Sequence, residues 1–131
     1  MKILFNALIL TLLIGCSKNN DSSISDQINN TKWLVTEYKS NGVSDPSVVA
    51  QNHTYDFRSD GKVYFSQTGP VYKDTLQFEI LNSTSIKISK PSASPTAYIS
   101  LKIDYISETN FDFTLTSNEN ADIDNYKSIR Q

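Results

Sequence analysis

Tyr55-Asp56-Phe57-Arg58-Ser59-Asp60-Gly61-Lys62-Val63-Tyr64-Phe65-Ser66 is the stretch on which the fold turns. His53, Tyr55 and Phe57 alternate with Thr54, Asp56 and Arg58, and beyond Asp60-Gly61 the alternation resumes as Val63 and Phe65 against Tyr64 and Ser66. A period of two puts successive side chains on opposite faces, as in a half-buried strand. Asp-Gly between two such runs supplies the positive φ that a tight hairpin turn requires. The stretch reads as an antiparallel hairpin with one dry face and one wet face.

The same period extends in both directions. Upstream, Trp33 and Val35 share one face, with Leu34, Thr36 and Tyr38 on the other; Asn41-Gly42 then opens a polar connection through Pro46 to Asn52, whose apolar patch is Val48-Val49-Ala50. Downstream, Thr68-Gly69-Pro70 closes the hairpin strand, Leu76, Phe78 and Ile80 mark another, and Ile86 and Ile88 follow the Asn82-Ser83-Thr84 turn. After a loop carrying Pro91 and Pro95, the longest run, from Ala97 to Ile106, turns Ile99, Leu101, Ile103 and Tyr105 inward. Glu108-Thr109-Asn110 leads into Phe111, Phe113 and Leu115. Residues 118–125 read as an acidic connection, and Tyr126 to Arg130 as a last short strand.

About eight strands joined mostly by short turns, with no convincing helix, define an all-β protein whose sequential neighbours are antiparallel. An up-and-down β-barrel and a β-sandwich both satisfy the pattern. The meander-like spacing favours the barrel, with Trp33 as its plug or floor.

Ahead of this domain, Ile3 to Ile14 holds ten apolar residues in twelve after Lys2, and the run ends in Leu13-Ile14-Gly15-Cys16. That is the polarity of a secretory signal and too short for a bilayer span of about 20 residues. An apolar residue, a small residue and then Cys is the cleavage pattern of a bacterial lipoprotein. Cys16 is the expected lipidation site and first mature residue. Each buried methylene of such a lipid contributes about 0.8 kcal/mol, so two or three chains hold firmly. The expected organisation is a signal peptide over 1–15, a lipidated Cys with a flexible tether over 16–30, and a barrel domain over 31–131. Ile24 and Ile28 stand at helical spacing, but the polar composition around them reads as tether.

Of the 131 residues, loss of the first 15 leaves 116, enough for one domain; loss of Lys2 from 12 basic residues leaves 11 against 14 acidic. No basic field tracks a phosphate backbone, so nucleic acid is not an expected partner. With its only Cys lipidated, the domain has neither a disulfide framework nor a thiol nucleophile.

Little chemistry assembles from the remaining residues. His53, the only His, shares a face with Tyr55 and Phe57 and reads as a core or barrel-mouth residue; as a general base it lacks a nucleophile partner. Glu37, Asp56, Asp60 and Asp104 are scattered carboxylates, with Asp60 explained by its turn. Asp122-Ile123-Asp124-Asn125, with Glu119 nearby, lacks the spacing and the Gly of a calcium loop, and one His without a free Cys is a poor zinc set. Neither a catalytic set nor a metal or cofactor is expected, and the chain does not read as an enzyme.

Four features resemble the lipocalin-like lipoproteins of Bacteroidota-type Gram-negative bacteria. A lipobox and polar tether precede Thr31-Lys32-Trp33-Leu34-Val35; the Tyr55 to Lys62 hairpin follows; after Gly69 a run ends in the Leu76 to Ile88 hairpin; and the chain closes on Tyr126-Lys127-Ser128-Ile129-Arg130. Many such domains carry a Cys pair bridging an early loop to a later strand, and that pair is absent here. The resemblance implies a lipocalin-like barrel held in the cell envelope through lipid, with Ser17 rather than Asp after the Cys favouring the outer membrane. The leading expectation for function is a non-catalytic binding module for a small apolar molecule. Trp33, Tyr55, Phe57, Phe65, Phe78, Leu101, Ile103 and Phe113 are its candidate cavity residues. The alternative is a filled barrel acting as a protein-interaction subunit of an envelope complex, through outward Tyr64, Tyr98 and Ile106.

Overall fold

The computed structural model describes residues 23–90 and 96–131. Cys16, the expected signal segment and the start of the expected tether lie outside the described residues, as do Pro91 and Pro95.

Hydrogen bonding runs unbroken around a ring. β1 (Thr31–Ser40) pairs with β3 (Thr54–Phe57), and the ladder continues through β4 (Lys62–Thr68), β5 (Val71–Asn82), β6 (Ser85–Ser89), β7 (Tyr98–Ile106), β8 (Asn110–Ser117) and β9 (Ile123–Arg130). β9 returns to pair with the other edge of β1, so eight antiparallel strands close a barrel and no two-sheet sandwich forms. A two-residue strand, β2 (Val43–Ser44), folds back on the end of β1. Closure leaves no long unpaired edge. The described strands and helices all lie within residues 24–130, so a chain starting at Ser17 carries every described element.

The hairpin that announced the fold forms as its residues dictate. Gly61 sits at φ +78°, Asp60 Oδ1 accepts from the Lys62 amide at 3.1 Å, and Phe57 pairs with Val63. Trp33, Phe57, Val63, Ile86, Leu101, Phe111 and Phe113 are all buried inward, as alternation requires.

Alternation fails at three places, each a β-bulge with one extra residue on one strand. Thr36 is the extra residue of β1 opposite β9, and it brings Tyr38 inward to the core rather than onto the outer face. Asp104 is the extra residue of β7, so Tyr105, expected inward, is 56% exposed and Ile106, expected outward, packs on the core. Leu81 is the third, on β5, and it is left facing solvent.

Two short helices also correct the sequence reading. α1 (Ile24–Ile28) occupies part of the expected tether: Ser23 and Asp26 form a reciprocal capping box, and Ile28 is fully buried. The tether therefore does not extend to residue 30. α2 (Pro46–Ala50) lies in the supposed polar connection, begun by Asp45, whose side chain accepts from the Ser47 amide at 2.9 Å, with Pro46 in the first helical turn. Residues 123–125, read as connection, are the first residues of β9.

The two ends of the barrel differ. At the end where Thr31 enters, Ile28 seals the interior, and Asn30 ties α1 to the β3–β4 turn by accepting from the Ser59 amide at 3.2 Å. Above this floor the rings of Trp33 and Phe111 lie 5.3 Å apart, Phe111 and Phe113 4.7 Å, and Phe113 and Tyr126 stack at 4.9 Å. Each such pair contributes about 0.5–1.5 kcal/mol beyond its buried area. This column of rings climbs from the floor to the opposite end, the mouth, where the β4–β5, β6–β7 and β8–β9 connections gather.

Candidate ligand cavity

On β7 and β8 the inward side chains shrink towards the mouth. Phe113 is followed on its face by Leu115 and Ser117, and Leu101 is preceded by Ile99 and Ala97. A small barrel is just filled when its interior positions are large, and it holds a ligand where they are not. The result is a cavity of about 560 Å³ opening at the mouth. That lies within the range of real small-molecule sites, about 300–1,000 Å³.

Its inner wall is apolar and aromatic, made by Tyr55, Phe65, Leu76, Ile88, Ile99 and Tyr126 from six different strands. Tyr55 lies 5.2 Å from Phe65 and edge-on to Tyr126 at 5.9 Å. The Tyr55 and Tyr126 side chains stand together in this wall, and burial pushes both phenols well above their ordinary range.

The rim is polar. Lys90 Nζ donates to Asp74 Oδ2 at 2.7 Å and the Tyr72 hydroxyl donates to the same oxygen at 3.1 Å. The Lys90 bond holds the Asp74 carboxyl below its usual range, and Asp74 raises Lys90 in return. Across the mouth, the Tyr38 hydroxyl donates to Asp124 Oδ1 at 2.9 Å, and Asn41 Nδ2 donates to Asp122 Oδ1 at 3.1 Å.

Of the eight expected cavity residues, Tyr55 and Phe65 line this space. Trp33, Phe57 and Phe113 are fully buried in the ring column, Leu101 and Ile103 are buried core, and Phe78 packs against Phe57 at 5.2 Å. These six fill the barrel instead of lining its cavity. Tyr72, Asp74, Leu76, Ile88, Lys90, Ile99, Leu115, Asp124 and Tyr126, not among the eight, do line it. Their inward phase was available from alternation, but their height along the barrel depends on strand stagger.

The other candidates are placed plainly. His53 Nε2 lies 3.2 Å from Gln51 Oε1, and its ring stands edge-on to Phe65 at 5.1 Å; burial pushes its pKa down. Glu37 pairs with Lys39 and Lys127, Asp56 with Arg58, Asp60 with Lys62, and Asp104 with Lys102, all on the outer surface or in turns. Among the described residues, no group of three His, Cys, Asp or Glu side chains gathers closely enough to hold a metal ion. A second concavity of about 720 Å³ is an open groove on the outside of β3–β5, lined by Lys32, Asp56, Arg58, Tyr64, Lys73 and Thr75. Its walls are mostly charged and hydroxyl-bearing, so it offers a ligand little desolvated apolar surface.

No protein-family model matches the chain, and no curated protein matches it in sequence.

Proposed function

We propose that this chain is a lipocalin-like lipoprotein, anchored through lipid on Cys16, whose barrel is a non-catalytic binding module for a small, largely apolar molecule. The observation that carries the reading is the cavity of about 560 Å³ over a filled floor, with aromatic and aliphatic walls converging from six strands. Burial of apolar surface, at about 25 cal/mol per Å², supplies the affinity, and the few polar groups at the rim set orientation.

The cavity opens at the end of the barrel opposite α1. Six residues separate Cys16 from Ser23, where α1 begins at the floor, a span of about 20 Å when extended. A lipid on Cys16 would then tether the floor end, with the mouth turned away from the membrane. The envelope of a Gram-negative bacterium, with the outer membrane favoured by Ser17, is the proposed location.

Two experiments test this reading. Labelled palmitate should enter the full chain and not its Cys16→Ser variant. Solvent extraction of the protein purified from envelope membranes should release one small apolar molecule in stoichiometric amount. Extracts free of any such molecule, from protein that also ignores added apolar probes, would count against the binding module.

The outer groove supports a second reading, a protein-interaction subunit of an envelope complex, because Tyr64 stands in it 39% exposed. Tyr98 is equally exposed, but Ile106 is withdrawn into the core and leaves that surface. A soluble form that stays monomeric and recovers no envelope protein would set this reading aside.

A further inference from the structure

We propose that the molecule held in the mouth cavity carries a positive charge, an ammonium group on an apolar or aromatic body. This rests on the binding-module reading above and specifies its ligand class.

The side chains lining the cavity that are charged at neutral pH are Asp74, Glu119, Asp122 and Asp124 against Lys90 alone, four carboxylates and one cation. Lys90 is already committed to Asp74 at 2.7 Å. Among the described residues, neither Asp122 nor Asp124 makes an ion pair with a Lys or Arg; their hydrogen bonds come from neutral donors, Asn41 and Tyr38. The surplus is therefore negative, and it faces a space whose walls are apolar.

Asp124 is the residue best placed to use it. It lies on β9 two residues before Tyr126, on the inward face of that strand, and it is half-buried. A carboxylate there stands beside the rings of Tyr126 and Tyr55, with Phe65 and Tyr72 further round the wall. Aromatic faces carry negative potential and attract a cation within about 6 Å of the ring centre. An ammonium group would meet a carboxylate and ring faces together while its apolar body fills the space above Ile88 and Ile99. An anionic molecule of the same shape would bring its charge against unpaired carboxylates, which disfavours it.

The test is calorimetric titration of the chain from Ser17 to Gln131 with three molecules of one shape: tryptamine, 3-methylindole and indole-3-propionate. Tryptamine should bind about tenfold more tightly than neutral 3-methylindole, the scale of one charge-assisted contact with aromatic support. Indole-3-propionate should be the weakest. Asp124→Asn keeps an acceptor for Tyr38, so it should weaken tryptamine far more than 3-methylindole and bring the tryptamine preference close to unity. The wild-type ratio decides the charge preference, and the variant assigns it to Asp124. Equal binding of tryptamine and 3-methylindole, or tighter binding of the anion, would overturn the proposal and leave the apolar cavity standing. Tryptamine preference undiminished in Asp124→Asn would remove Asp124 from it. No binding of any of the three would count against the binding module itself.

Discussion

The indole nitrogen of Trp33 donates to Oγ1 of Thr31 at 2.8 Å, both side chains fully enclosed at the floor of the barrel. The Thr31 hydroxyl in turn donates to the carbonyl of Ile28, the last residue of α1. One hydroxyl thus satisfies a buried donor and a buried acceptor and joins the helix to the first strand. Thr31→Val keeps the shape and removes that hydroxyl, leaving two buried polar groups without partners. The expected loss is about 2–6 kcal/mol, at 1–3 kcal/mol for each unsatisfied group. Urea unfolding measures it, and a loss under about 0.5 kcal/mol would contradict the relay.

α1 belongs to the folded unit, although its composition reads as tether. Ile28→Ala should destabilise the domain by about 2–4 kcal/mol, the usual cost of emptying a buried aliphatic site. A free tether would lose nothing. Comparison of Ile28→Ala with the wild type by chemical denaturation separates the outcomes.

Alkaline unfolding should report the tyrosine pair at the mouth. Burial raises Tyr55 and Tyr126 above the ordinary phenol value of 10.0. The unfolded chain therefore releases these protons at lower pH than the folded chain does. Their contribution is complete below about pH 10 and falls above it, by about 1.4 kcal/mol per pH unit for each phenol. Unfolding measured across that range should steepen accordingly, and the Tyr55→Phe, Tyr126→Phe double variant should flatten the decline. A decline of the same steepness in the double variant would show that other groups cause it.

The bulge at Asp104 reverses the faces of the two residues that follow it. Tyr105→Ser should change stability by less than about 0.5 kcal/mol, whereas Ile106→Ala should cost about 1–3 kcal/mol. The opposite order in a denaturation experiment would mean that alternation continues through Asp104.

These bulges mark where the sequence ceases to be legible. Alternation identifies Trp33, Phe57, Leu101 and Phe113 as inward because each lies in an uninterrupted stretch of period two. It misplaces Tyr38 and Tyr105, because an extra residue shifts the phase without leaving a distinctive side chain, and tyrosine suits either face. The helices were signalled weakly, by Ser23 three residues before Asp26 and by Asp45 before Pro46, in segments too short for periodicity to speak. The cavity was the least legible feature. Whether an inward aromatic such as Phe113 fills the barrel or an inward Leu115 borders a void depends on its height, which the stagger of eight closed strands fixes.

Binding of an apolar probe at the mouth is the most direct test of the account. Nile red titrated into the chain from Ser17 to Gln131 should show one saturable site with blue-shifted emission. Replacing Ile99 and Leu115 together by Trp, which fills the wall of the cavity, should weaken that site at least about tenfold, or 1.4 kcal/mol. Tyr64→Trp, in the outer groove, should leave it unchanged. Absence of a saturable site in the wild type, or a site indifferent to the wall substitutions and lost with Tyr64→Trp, would contradict a ligand cavity at the mouth.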